Sequence, residues 1–154
     1  MKTNMQSMAQ AVLAAAILVM AAVVQAAPEN VISRNGVSYV SGGIGADSQQ
    51  RLKALEPEFS LKLVFTLAEG NYVSDVNVAI KDARGKTLIE HVADGPFLLA
   101  KLPVGKYTVS AIYEGKTQIR QISVKGGRLQ TEYLRWPGNP ETDFALPPEH
   151  RQPN

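Results

Sequence analysis

The chain has 154 residues, with 16 basic and 14 acidic side chains and a formal net charge of +2. That length predicts a single domain. Cysteine is absent, which excludes disulfides, Cys-based zinc sites, iron–sulfur clusters, a cysteine nucleophile and a lipidated N-terminal cysteine.

Residues 1–26 read as a cleaved signal peptide. Lys2 is the only charge before Glu29, and Ala11 to Val24 is an unbroken apolar run of 14 residues. A bilayer span takes about 20 apolar residues, so this run is short for an anchor and fits the apolar region of an export signal. Val24-Gln25-Ala26 sets short side chains before the cut. Cleavage leaves no methionine and no membrane span, and it predicts a periplasmic or secreted protein. The remaining basic residues form no cluster, so no nucleic-acid partner is expected.

Residues 27–59 read as a leader. Ala27 to Asn35 is loose, Val37 to Val40 is a short edge strand, and Gly42-Gly43-Ile44-Gly45 is a flexible bend. Asp47 then has the chemistry of a helix N-cap, with Gln50 at the capping-box position. Leu52, Leu55 and Phe59 share one helical face, and Pro57 limits the helix to about residues 48–56.

From Ser60 the hydrophobic period becomes two. Seven strands are predicted over 60–68, 73–82, 87–93, 97–102, 106–113, 116–124 and 129–136. Each intervening turn contains glycine. The close spacing leaves no room for crossover helices, so pairing is expected to be mostly antiparallel. The expected fold is therefore an all-β, seven-stranded antiparallel β-sandwich over residues 60–136, with a short N-terminal helix. Within 116–124 the apolar residues change parity, from Ile119 to Ile122 and Val124, which predicts a bulge near Arg120-Gln121 or partial burial of both faces. Residues 137–154 hold five of the nine prolines and few apolar side chains, and they read as a disordered tail.

Leu102-Pro103-Val104-Gly105-Lys106-Tyr107-Thr108-Val109-Ser110-Ala111, followed by Gly115, forms an L-P-x-G-x-Y-x-V-x-A pattern, preceded by the turn Asp82-Ala83-Arg84-Gly85-Lys86. This resembles the carboxypeptidase regulatory-like domains, which implies a transthyretin-like sandwich. With Tyr39-Val40-Ser41-Gly42-Gly43-Ile44-Gly45, the chain looks like the small stand-alone exported proteobacterial versions of that domain. Within this resemblance, the C-terminal Tyr-Arg-Gly-Ser of the hydroxyisourate hydrolases is missing, since the chain ends Arg151-Gln152-Pro153-Asn154. Leu99 stands where isopeptide-forming adhesin domains carry a glutamate.

Chemistry-bearing patterns are sparse. His91 and His150 are isolated, and Asp75, Asp82 and Asp94 lack the dense spacing of a calcium loop. No G-x-S-x-G elbow occurs, and the Gly42–Gly45 bend lacks the Lys-Ser/Thr of a phosphate loop. Neither a cofactor nor a metal is expected, and the residues point to a non-enzymatic binding or envelope-structural module. Phe97 and Leu99 flank Lys101 on the predicted outward parity. With Gly42, Gly43 and Gly45 at its edge, this patch is the candidate surface for another envelope protein, unless Leu52, Leu55 or Phe59 covers it. Tyr133 and Trp136 offer stacking faces for carbohydrate, the alternative ligand.

Overall fold

The computed structural model describes residues 29–139. The proposed signal peptide, His150 and nearly all of the proposed tail lie outside them. The described residues are mostly β, with two sheets and one short α-helix.

Nine strands form among the described residues, where seven were expected from Ser60 onward and one short edge strand in the leader. The seven predicted segments give β3 (Leu61–Leu67), β4 (Asn77–Asp82), β5 (Thr87–Val92), β6 (Phe97–Lys101), β7 (Gly105–Tyr113), β8 (Lys116–Val124) and β9 (Gln130–Trp136). In the leader, β2 (Val37–Gly42) contains the strand expected at Val37–Val40, and β1 (Ile32–Arg34) forms in the segment expected to be loose. Asn35 and Gly36 both take positive φ, 52° and 78°, between the paired residues Arg34 and Val37. This is the two-residue hairpin geometry that an Asn-Gly pair favours. It makes β2 an interior strand rather than an edge.

One sheet has the order β1-β2-β6-β3-β9 and the other β5-β4-β7-β8. All strand pairs are antiparallel except β3 with β9, which run parallel from Leu61↔Gln130 to Leu67↔Trp136. Short turns force antiparallel pairing only between strands consecutive in sequence. Here the connection between β3 and β9 runs through the whole four-stranded sheet and through β6.

The two sheets share one core. Leu61, Leu63, Phe65 and Leu134 come from the five-stranded sheet, and Val78, Ile80, Val109, Ala111 and Ile122 from the other. The predicted alternation of Leu61/Leu63/Phe65/Leu67 and of Val76/Val78/Ile80 is realised, since all seven are buried. Tyr107 is buried as expected, and its hydroxyl donates to the Pro103 carbonyl at 2.6 Å.

Strand β8 carries no bulge. Its register with β7 is unbroken from Gly105↔Val124 to Tyr113↔Lys116. The change of parity has a simpler cause: Ile119 points outward and is 59% exposed, while Ile122 and Val124 point inward. The register shift falls instead between Ile80 and Lys81, in the β4–β5 pair.

The helix α1 spans Ala46–Leu55 and continues into a 3₁₀ turn over Glu56–Glu58, with Pro57 in the first turn of that segment. Its N-cap is Gly45, not Asp47; Asp47 lies in the first turn, where its charge favours the helix dipole. Leu52 and Phe59 pack on Val40, Val64, Phe97 and Leu99, forming a second apolar cluster on the outer side of the five-stranded sheet.

Candidate functional site

The predicted patch at Phe97 and Leu99 is not a surface. Leu99 is fully buried and Phe97 is 8% exposed, both in the cluster with Leu52 and Phe59. The covered arrangement is therefore the one that forms. On the outer side of the five-stranded sheet two adjacent rows are apolar, at Val40 and Leu99 and at Val64 and Phe97, and they form the floor for Leu52 and Phe59.

The glycine bend serves the same packing. A Cβ on Gly43, whose φ is +100°, would stand 2.3 Å from the Phe97 ring. Gly42 faces Ser48 and Leu52, and its carbonyl approaches Gly95 so closely that a Cβ there would meet it at 2.3 Å. The Gly43 amide donates to Ser48 Oγ at 2.8 Å, and Gln49 Nε2 donates to the Gly43 carbonyl at 3.1 Å. Gly45, with φ +81°, has nothing within 4 Å of the place a Cβ would take, and it acts through its backbone as the helix cap. These three glycines seat α1 on the sheet.

One constellation has no signature in the sequence. Ser41 on β2, His91 on β5 and Asp94 after β5 converge, with about fifty residues between Ser41 and the others, so no local spacing reveals them. Ser41 Oγ donates to Asp94 Oδ2 at 2.6 Å and accepts from the Asp94 amide at 3.0 Å. His91 Nε2 lies 3.0 Å from Ser41 Oγ and 3.0 Å from Asp94 Oδ2. A carboxylate only accepts, so Nε2 carries the hydrogen and donates to both. A relay needs the opposite: a base nitrogen free to take the serine proton, with the carboxylate on the other ring nitrogen. Here one nitrogen meets both partners and the serine hydroxyl already donates its hydrogen bond to Asp94. The arrangement is a clasp between the sheets. Burial would raise the Asp94 pKa, and the hydrogen bonds from Ser41 and His91 outweigh that and hold it below the usual carboxylate range.

The open surface lies on the four-stranded sheet. Register sets Glu90, Ala79, Ser110 and Ile119 in one outward row across β5, β4, β7 and β8, and Val92, Asn77, Ile112 and Thr117 in the next. The small Ala79 and Ser110 leave a shallow concavity of 510 Å³ between Glu90, Val92 and Ile112. Val92 is 50% exposed and Ile112 38% exposed, and with Ile119 they put three branched apolar side chains on one solvent-facing sheet. The signal in the sequence is that these residues are out of phase with the core alternation. The change of parity at Ile119 marks this face rather than a bulge.

Of the two stacking candidates, Trp136 is buried and donates its Nε1–H to the Lys116 carbonyl at 2.8 Å, whereas Tyr133 is 51% exposed. Among the described residues no group of three or more His, Cys, Asp or Glu could hold a metal ion, and no helix is long and apolar enough to cross a membrane. Comparison with protein-family models gives no match, and comparison with curated proteins finds no similar sequence.

Proposed function

We propose that this chain is an exported, non-catalytic β-sandwich module of the carboxypeptidase regulatory-like type, working in the periplasm or outside the cell, and that it binds another envelope protein through the outer face of its four-stranded sheet. The observation that carries the docking face is the cluster of exposed Val92, Ile112 and Ile119 around the Ala79–Ser110 concavity. Exposed apolar groups gathered around a shallow depression and rimmed by polar side chains are the usual marks of a protein contact. The transthyretin-like topology rests on the motif around Leu102–Ala111 and on two sheets sharing one core. The export route rests on residues 1–26.

The test is in-cell photocrosslinking from position 119 on the face and from position 53 on the exposed side of α1. The reading expects a discrete adduct from position 119, and its loss on Ile112→Glu at unchanged melting temperature. An adduct that persists in the Glu variant, or forms equally from position 53, overturns it.

A further inference from the structure

The outer side of the five-stranded sheet carries a separate feature beyond the helix. Phe97, Val64 and Tyr133 lie side by side across β6, β3 and β9. In the next row Tyr72, which bridges to β3 alone, Thr66 and Arg135 lie side by side. Side chains two apart on a strand share a face, so these residues stand together on the outer side. Val64 and Thr66 make a low, buried floor, while Tyr72 and Tyr133 on either side are 56% and 51% exposed. The two tyrosines flank β3 diagonally, two strand spacings across and two residues along, roughly 12 Å between Cα atoms.

The walls are oriented. The Tyr72 ring meets Phe97 edge-on, with centroids 5.2 Å apart. The Arg135 guanidinium sits 5.2 Å from the Tyr133 ring centre. Lys62, next along β3, is bound to Glu56, so its charge is matched. Arg135 has no ion-pair partner among the described residues. The floor carries the second signal. Thr66 Oγ1 is the buried side-chain polar atom without a hydrogen-bond partner among the described residues, and Thr66 as a whole is 5% exposed. Native folds rarely leave such an atom unpaired without a reason.

The ligand class follows from this set. The floor strand β3 is hydrogen-bonded on both sides, and the unpaired edge of β9 faces away from it, so a ligand lying in the trough meets side chains rather than a free backbone edge. Recognition here falls to side chains: two aromatic faces, one unpaired hydroxyl and one unmatched guanidinium. A sugar ring presents an apolar C–H face for stacking and hydroxyls for hydrogen bonding. A guanidinium binds a carboxylate with two parallel bonds. We propose that this trough binds an acidic, uronic-acid-bearing oligosaccharide. Tyr72 and Tyr133 stack on sugar rings, Arg135 holds a carboxylate, and the Thr66 hydroxyl pairs with the ligand when Tyr72 and Arg135 part around it. This site is independent of the protein-docking face on the other sheet.

The experiment is affinity electrophoresis and calorimetry of the full chain with polygalacturonate, against neutral amylose of matched length. Polygalacturonate is expected to retard the protein and amylose to do so at least tenfold less. Tyr72→Ala and Tyr133→Ala, both at exposed positions, are expected to lower affinity at least fivefold with the circular dichroism spectrum unchanged. Arg135→Gln abolishes the preference for the acidic polymer, whereas Lys125→Gln, the same loss of charge outside the trough, leaves it in place. Thr66→Val raises the melting temperature and weakens binding. Absence of retardation, equal loss in Arg135→Gln and Lys125→Gln, or full affinity in both tyrosine variants overturns the proposal.

Discussion

Tyr107 reaches back four residues to donate its hydroxyl to the Pro103 carbonyl at 2.6 Å. The bond ties the turn before β7 to the core, because the ring is buried while its oxygen meets a backbone group that the proline turn leaves available. Burial, and then the nearby Asp82, push the Tyr107 pKa above its ordinary value. A raised folded pKa gives stability that is complete below the ordinary tyrosine range and is lost as pH climbs through the folded value. Tyr107→Phe is expected to cost about 1 kcal/mol at neutral pH, the typical net worth of such a bond. It should also remove part of the alkaline loss. Urea melts at pH 7 and pH 11 check both, and a variant equal to the parent at both values refutes the role.

Gly95 and Gly42 predict a sharper effect. A Cβ on Gly95 would meet the Gly42 carbonyl oxygen at 2.3 Å and its carbon at 2.5 Å, both backbone atoms of a paired strand. Gly95→Ala therefore must move β2 or the turn before β6, and about 3 kcal/mol of destabilisation is expected, the upper end for overpacking. Gly85→Ala is the control: nothing lies within 4 Å, and only its φ of +82° is strained. About 1 kcal/mol is expected there. Equal midpoints for the two variants in chemical denaturation would refute the close approach.

Leu99 shows what the sequence reveals and what it hides. Alternation along Phe97–Leu102 places Leu98, Ala100 and Leu102 in the core correctly, because a strand has a fixed period of two. The same alternation puts Leu99 on the outer side, also correctly, but period alone does not say what lies above an outer face. That depends on α1, whose apolar residues Leu52 and Phe59 are legible, and on a glycine bend whose docking angle is set by contacts with Phe97 far along the chain. The seven segments from Ser60 onward are readable because local turn chemistry and hydrophobic period agree there. The β1–β2 hairpin escapes such a reading although Asn35-Gly36 is a strong turn signal, because the three-residue β1 is mostly exposed and lacks an apolar alternation. The parallel β3–β9 pair and the Ser41–His91–Asp94 clasp join distant segments, and no local pattern encodes such contacts. Leu99→Ala is expected to cost about 2–5 kcal/mol, as for other fully buried leucines. Its effect should be less than additive with that of Leu52→Ala, since both empty one cluster. Strict additivity in a double-mutant cycle would mean the helix does not rest on this strand.

The Ser41–His91–Asp94 clasp makes a chemical prediction. With its hydroxyl hydrogen donated to Asp94 and its lone pairs taken by the Asp94 amide and His91, Ser41 Oγ has no free base nitrogen to activate it. A fluorophosphonate probe is expected to leave Ser41 unlabelled at pH 8, under conditions where a serine hydrolase reacts fully. Ser41→Ala should instead lower stability by about 1–2 kcal/mol, because it removes bonds across the two sheets. Stoichiometric labelling of Ser41 would overturn the structural reading.

Acid stability separates two carboxylates. Arg51 binds Glu29 through two of its guanidinium nitrogens, Nε to Oε2 at 2.5 Å and Nη2 to Oε1 at 3.1 Å, which joins the segment before β1 to the helix. The hydrogen bond from Arg51 is the main reason the Glu29 pKa falls from 4.5 to about 2. A depressed folded pKa gives stability that is present above 4.5 and is lost as pH falls from 4.5 toward 2. Solvent screens the pair, since Arg51 is 35% exposed, so the loss expected from Glu29 is about 1 kcal/mol rather than the full linkage value. Asp94 is also depressed and loses its contribution in the same direction as the medium is acidified. Melting temperatures taken from pH 6 to pH 2 should therefore fall in the parent, fall less in Glu29→Gln, and fall less again when Asp94→Asn is added. If Glu29→Gln melts along the same acid curve as the parent, the Arg51 bridge does not hold the leader to the helix in solution.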